Sequence, residues 1–481
     1  MDMSQENSLS YYIAVVVVIL MAIGTVFVFS ASANVGFDIE LQHFYDLPSL
    51  RQIIFFPLAI LIMFLFARLD YHKLQLGNDL KKSPAVWLLA TSVVLLMLVL
   101  VPKFGTEINQ ARRWFHINLG FMKLSFQPSE LAKWATLFFM VGFCFKYKDE
   151  MHLFKKRFLP AISVMAIPVG LIIIEDFGTA ALITILSVMV LLIGGANWRH
   201  VLAPAPIGVL AFIGAIIAAP HRVQRLAAFW NPEKWADTVA YQANQSLIAL
   251  GSGGLFGKGI GCGVSKYGHL PEDTTDFIFA IIGEEMGFVG TLAVISLFIV
   301  FVWLGIKVVK NCRDEYGKFL AAAIVMTIGV QAALNIGVVT VVLPTKGLPL
   351  PFVSAGGTSM LLTAAAVGIL LNIAKQIVPK SEPVAASVSS AAAKFQMQLI
   401  DHKEVLESLE RQAAELSESD ELFEREYAQV QEQMTEYRNE HDKQIPPLNA
   451  VKKPLKRNAG EPLDTQELAE LSGIAKRLAG K

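Results

Sequence analysis

Residues 11–30 read YYIAVVVVILMAIGTVFVFS, twenty positions without a single charge. A hydrocarbon core about 30 Å thick is crossed by about 20 apolar residues in an α-helix, and lipid offers no partner for free backbone groups. The stretch therefore predicts a membrane-spanning helix. Comparable runs follow at roughly 51–68, 84–102, 129–146, 158–175, 177–195, 200–219, 277–306, 318–343 and 357–378. Together they predict an all-α polytopic membrane protein with ten transmembrane helices. Composition agrees: of 481 residues 54% are hydrophobic and 17% charged, and mean hydropathy is +0.50, which excludes an ordinary soluble protein. Lys plus Arg and Asp plus Glu both total 41, so nothing in the net charge points to nucleic acid.

Charge is unevenly distributed. It is sparse through residues 1–378, whereas roughly one residue in three is charged from Lys380 onward. The division predicts a membrane domain over 1–378, a linker over 379–394, a coiled coil over 395–440, and a basic linker with a short helix over 441–481. The coiled-coil reading rests on heptad spacing of Leu399, Leu406, Ala413, Tyr427 and Met434 against Phe395, Leu409, Leu416, Phe423, Val430 and Tyr437, interrupted at His402 and Asp420. A solvated amphipathic helix is the alternative. Such a tail would dock a cytoplasmic partner or self-associate. Cys144, Cys262 and Cys312 lie far apart, so no disulfide framework or CxxC metal site is expected. The first run outlasts a signal-peptide core and its flank lacks Lys and Arg, so an uncleaved helix is expected despite Ala31-Ser32-Ala33.

Basic residues set the orientation. Arg68, Lys73, Lys81 and Lys82, then Lys146, Lys148, Lys155, Lys156 and Arg157, then Lys307, Lys310, Arg313 and Lys318 all fall on one side by parity. That side is expected to be cytoplasmic, with both termini on it. The outer connections are then 32–50, 103–128, the turn near Asp176, a long loop at 220–276, and 344–356. Outer Arg112, Arg113, Lys123, Arg222, Arg225, Lys258, Lys266 and Lys346 oppose the charge bias. Phosphates of a lipid-linked substrate or lipid headgroups would each account for them.

Charges inside apolar runs cost about 2.5 to 3.5 kcal/mol each, so they mark function or internal pairing. Glu130 and Lys133 stand three residues apart on one helical face and can neutralise one another. Asp176 opens a run, where a carboxylate commonly caps free N–H groups. Asp276, in Pro271-Glu272-Asp273-Thr274-Thr275-Asp276-Phe277-Ile278, sits where water meets lipid. Partial desolvation there suits a general base, and capping is the plainer alternative. Glu284 lies about 80° from Asp276 around the helix and is expected to face the same cavity, whereas Glu285 is expected to bond a neighbouring helix. The stretch Gly251-Ser252-Gly253-Gly254-Leu255-Phe256-Gly257-Lys258-Gly259-Ile260-Gly261 is not a P-loop, which needs Gly at Ser252 and Ser or Thr at Gly259. It reads either as a flexible phosphate-approaching segment or as a tight re-entrant turn.

Several motifs resemble the SEDS family (shape, elongation, division and sporulation) of polytopic peptidoglycan glycosyltransferases. They are Asn109-Gln110-Ala111-Arg112-Arg113-Trp114, Gln127 through Lys133, Asp176 through Ala180, Tyr241-Gln242 through Gly261, Thr275 through Phe279, and Pro344 through Gly357. The resemblance covers about residues 11–378 and leans toward the division member FtsW over the elongation member RodA. It implies polymerisation of lipid II in septal wall synthesis at the bacterial plasma (inner) membrane. Asp276 would be the catalytic general base, with inversion at the anomeric carbon. Arg112, Arg113, Arg225, Lys258, Lys266 and Lys346 would bind substrate, supported within the membrane by Glu130, Lys133 and Glu284. No tightly bound cofactor is implied; a divalent cation such as Mg or Mn could assist. The partners implied are a class B penicillin-binding transpeptidase (FtsI-like) and other divisome proteins. The family commonly has His at Thr274, Pro at Glu175 and an aromatic at Ala355, so a histidine beside the carboxylate has no counterpart here. A lipid II transporter, a RodA-like elongation polymerase and an inert scaffold are the rival readings.

Overall fold

The computed structural model describes residues 8–32, 48–77, 79–108, 111–118, 123–236 and 238–376. The expected linker, coiled coil and terminal helix of the tail lie outside these residues. The order is α1 (Ser8–Ser32), α2 (Pro48–Phe66), α3 (Pro84–Leu100), β1 (Thr106–Ile108), β2 (Ala111–Asn118), β3 (Lys123–Phe126), α4 (Pro128–Lys146), α5 (Leu159–Glu175), α6 (Phe177–Ile193), α7 (Trp198–Leu202), α8 (Ala205–Ile217), α9 (Pro220–Trp230), α10 (Tyr241–Ser252), α11 (Ile278–Asn311), α12 (Glu315–Val339) and α13 (Gly357–Lys375).

Six helical stretches are long and apolar enough to cross a membrane: Leu9–Ser32, Phe154–Glu175, Trp198–Ile217, Ile278–Asn311, Glu315–Val339 and Gly357–Lys375. The chain is thus a multi-pass membrane protein. Three shorter apolar helices accompany them, Arg51–Phe66, Pro84–Leu100 and Phe177–Ile193. The remaining run is α4, which carries the charged residues Glu130 and Lys133, both buried.

The fold is not all-α. β1, β2 and β3 form an antiparallel sheet in the 103–128 connection, with Glu107 opposite Arg112 and Phe115 opposite Phe126. That segment lacks helical apolar periodicity and is rich in aromatic and β-branched residues, which fit a pleated surface. The long 220–276 loop is also more ordered than a loop, since it contains α9 and α10.

α4 is buried on nearly every side, packed among α3, α6, α12 and α13. α2 lies against α13, where a Cβ at Gly368 would come 2.4 Å from the Met63 carbonyl oxygen, so the two backbones meet closely. α11 pairs with α12, α1 and α10, and breaks its helical path at Gly287, where φ is 68°. α8 has no buried residue. α12 begins at a carboxylate cap, Asp314 accepting from the N–H groups of Tyr316 and Gly317.

Candidate functional site

A cavity of about 230 Å³ opens between the end of β2, the α5–α6 junction, α9 and the 344–347 turn. Arg113, Arg222, Arg225 and Lys346 line it, together with His221, Asp176, Phe177 and Gly347. Burial, then the adjoining charges of Arg222 and Arg225, lower the pKa of His221 from its ordinary value, which favours the neutral imidazole. Burial also lowers the affinity of Lys346 for its proton, opposed by Asp176. Its ammonium sits 4.6 Å from the centre of the Phe177 ring.

Each basic group is held by a different device. Arg112 and Arg113 are adjacent on a strand, so their side chains leave opposite faces. Arg112 pairs with Glu107 at 3.0 Å on the neighbouring strand. Arg113 donates from Nη2 to the Glu175 carbonyl oxygen, while its buried Nε has no partner among the described residues. Arg222 donates to the carbonyl oxygens of Ala215 at 3.0 Å and Ile174 at 2.6 Å. On α9 Arg225 neighbours both His221, four residues before it, and Arg222, three residues before it, so one turn brings the three toward the cavity. Sequence reasoning noted Arg222 as an outer cation without assigning it to the site and overlooked His221; that spacing was the available signal.

Asp276 borders this cavity through Gly347, where a Cβ would lie 3.0 Å from Asp276 Oδ2. Asp276 is not a helix cap. The N-cap of α11 is Phe277, without a side-chain bond, and the Asp276 carboxylate makes no hydrogen bond or ion pair with any described residue. Burial, then the negative charges of Glu272 and Asp176, raise its pKa to about 7, partly offset by Arg113 and Arg225. Asp176 is a cap: it accepts from Thr179 N at 3.1 Å and Thr179 Oγ1 at 2.8 Å. The two carboxylates of the site are thereby distinguished, one committed to a helix cap and one unpartnered among the described residues.

Backbone ties position the unpartnered one. Asn335 on α12 donates to the Asp276 carbonyl oxygen at 2.8 Å and to that of Leu348 at 2.7 Å. Ala355 N donates to the Thr274 carbonyl oxygen at 2.9 Å, and Ser354 Oγ to that of Thr275. One turn along α12, Gln331 donates to the Pro349 carbonyl oxygen at 2.9 Å and accepts from Lys133 at 2.8 Å. Lys133 also holds Glu130 at 2.8 Å, and Ser359 of α13 donates to Glu130 at 2.7 Å. The Glu130–Lys133 pair therefore anchors the turn carrying Lys346 and Gly347. Asn335, Gln331 and Ser354 were not singled out in the sequence, where an amide or hydroxyl in an apolar run carries no partner label.

Arg112, expected to bind substrate, does not line this cavity, and three further expected site residues lie elsewhere. Glu284 does not face the Asp276 cavity: it accepts from Lys258 Nζ at 2.6 Å and from the N–H groups of Val264 and Ser265. Lys266, buried, donates to Glu285 at 2.9 Å, and Glu285 also accepts from Ser30 of α1 at 2.7 Å. Lys258 and Lys266 thus neutralise buried carboxylates of α11, and neither lines the cavity. The same bonds make the glycine-rich stretch a tight turn around two carboxylates. For a divalent cation the fit is poor: among the described residues no three His, Cys, Asp or Glu side chains converge.

Comparison with known proteins agrees in extent and kind. The FtsW/RodA/SpoVE family model, described as cell cycle protein, matches residues 10–378. Stage V sporulation protein E of Bacillus subtilis is 34% identical over 375 residues, covering 77% of this chain and 98% of its own. A protein of Trichlorobacter lovleyi named probable peptidoglycan glycosyltransferase FtsW is 36% identical over 360 residues, covering 74% and 91%. A solved chain from a peptidoglycan synthase complex that coordinates polymerization and crosslinking superposes with a TM-score of 0.60 at 24% identity, covering 77% of this chain and 98% of that one.

Proposed function

The chain belongs to the FtsW/RodA/SpoVE family, and from that membership we propose that it is a peptidoglycan glycosyltransferase that polymerises lipid II during septal wall synthesis. The observation that carries the mechanism is a carboxylate that has no hydrogen-bond or ion-pair partner among the described residues and lies at the edge of an arginine-lined cavity. The acceptor's 4-hydroxyl gives its proton to Asp276 as the oxygen attacks the anomeric carbon of the growing chain. The bond to the pyrophosphate breaks on the opposite face, with inversion. Arg113, Arg225 and Lys346, joined by Arg222, offset the charge that develops on the leaving pyrophosphate. Preorganised cations are effective there because they need no rearrangement as the charge appears. A base with a pKa near 7 is well matched to neutral conditions, where about half of it is deprotonated and it is still basic.

In this reading all ten apolar runs cross the plasma membrane, with both termini cytoplasmic and the Asp276 cavity outside. The three shorter helices support it: the 17 residues of α3 rise about 25 Å, close to the hydrocarbon thickness. The solved neighbour's role in polymerization and crosslinking supports a class B penicillin-binding transpeptidase as the partner that cross-links the product. The test is the purified full chain in vesicles, with and without such a partner, supplied with lipid II on the face of Asp276. Glycan strands support the proposal. Labelled lipid crossing the bilayer without polymer indicates a transporter, and neither activity indicates a scaffold.

A further inference from the structure

The turn between α10 and α11 has a feature that a water-exposed loop does not require. Eight of the nine backbone N–H groups from Gly257 to Ser265 are bonded within the protein. Those of Gly261 and Gly263 reach the Glu285 carboxylate, and those of Val264 and Ser265 reach Glu284. Gly257, Lys258, Gly259 and Cys262 donate to backbone carbonyls, two of them on α11 itself. Lys258, the one Lys, Arg, Asp or Glu from Gly253 to Ser265, is paired with Glu284. Water would have satisfied these donors without such an arrangement. Irregular backbone at membrane depth must satisfy them internally.

The side chains point the same way. Leu255, Phe256 and Ile260 are 65%, 80% and 60% exposed. They adjoin an apolar stripe on α11. From Ile278 to Glu285 every residue of that helix is buried, and exposure begins at Phe288 and Val289, whose N–H groups donate to the carbonyl oxygens of Gly254 and Leu255. From Phe288 to Lys307, which covers the Trp303 ring at 3.5 Å, the helix rises about 28 Å, one hydrocarbon thickness ending in an aromatic and basic anchor. The turn is bonded to the helix where that lipid-facing span starts. Gly257 and Gly287, both with positive φ, permit the contact: a Cβ on Gly287 would lie 2.3 Å from Gly257 N.

We infer that residues 254–264 form a lipid-inserted turn, which enters the leaflet nearer Asp276 and places Leu255, Phe256 and Ile260 among acyl chains. The occupant is lipid because the turn continues the exposed apolar stripe of α11, has neutralised its charge and has satisfied all but one of the backbone donors from Gly257 to Ser265. The turn thereby fixes the depth of α11. Ile278, ten residues before Phe288, stands about 15 Å further along the helix, at headgroup level. That this height suits a lipid-linked sugar rests on the glycosyltransferase reading; the insertion itself does not.

The experiment uses the full chain in phospholipid nanodiscs with an environment-sensitive fluorophore on Cys262, which is exposed while Cys144 and Cys312 are buried. Cys262→Ser reports labelling elsewhere. A second probe, Phe256→Cys in the Cys262→Ser background, samples the most exposed side chain of the turn. The expected result is blue-shifted emission at both sites, quenching by phospholipids spin-labelled near the headgroup end of the acyl chain, and protection from iodide. Free quenching by iodide with none from the lipids overturns the inference. So does shielding from both quenchers, which would show that protein covers the turn.

Discussion

Asn335 holds the backbone of Asp276: its Nδ2 donates to the Asp276 carbonyl oxygen at 2.8 Å and, from the same amide, to Leu348 O at 2.7 Å. A single buried side chain therefore ties the residue of the proposed base to the turn that carries Lys346 and Gly347. Its Oδ1 has no partner among the described residues, so the amide is present for its donors.

Asn335→Leu keeps the volume and removes both bonds. Misplacement of a reacting group by about 1 Å can cost about 10²-fold, so turnover is expected to fall by about that factor. Thermal unfolding in detergent is expected to show a loss of about 1 to 3 kcal/mol for each carbonyl left without its donor. Polymerisation rate and melting temperature, measured on the same preparation, check both.

Neighbouring arginines are expected to behave differently. Arg113 lines the cavity with an Nε that has no partner among the described residues, whereas Arg112 is paired with Glu107. Arg113→Ala is expected to lower the polymerisation rate by about 10²-fold or more, the scale of removing one preorganised donor. Arg112→Ala removes a half-exposed pair whose loss costs about 1 kcal/mol or less. Equal effects in a lipid II assay would contradict the separation of the two.

Some of this was legible and some was not. Glu130 and Lys133 could be paired from their spacing alone, because a three-residue separation in a helix fixes proximity. Lys258 with Glu284 and Lys266 with Glu285 could not: those partners sit on separate segments, and only the fold of the glycine-rich turn brings them together. The lysines were therefore assigned to substrate by their charge. The ten apolar runs are helical over most of their described length, with 200–219 divided between α7 and α8, whereas length and composition qualify six helical stretches as membrane spans. The sheet at 106–126 was missed because a short antiparallel hairpin between apolar runs leaves little periodicity to read.

Breaking the buried pair has a different signature. Lys133→Met leaves the Glu130 carboxylate buried without its cation, expected to cost about 3 to 5 kcal/mol, and the double variant Glu130→Gln, Lys133→Met should recover much of that. Calorimetry or a thermal shift assay on the three proteins checks it. A single variant as stable as the parent would show that the pair does not anchor the 344–357 turn.

Gly347→Ala places a methyl 3.0 Å from Asp276 Oδ2. Expression and folding are expected to persist while polymerisation falls sharply. Gly356→Ala, whose Cβ would meet nothing closer than 3.6 Å, is the control expected to retain activity.

The most direct measurement is the pH dependence of lipid II polymerisation by the parent protein and by Asp276→Asn. The carboxyl titrates at about 7 and acts as a base only when deprotonated. Parent kcat/KM should therefore rise about tenfold per pH unit below that value and level off above it. Asp276→Asn, folded and inserted, should make no glycan at any pH. A parent profile flat across pH 6 to 8, or an Asn variant that polymerises at the parental rate and chain length, would contradict the account.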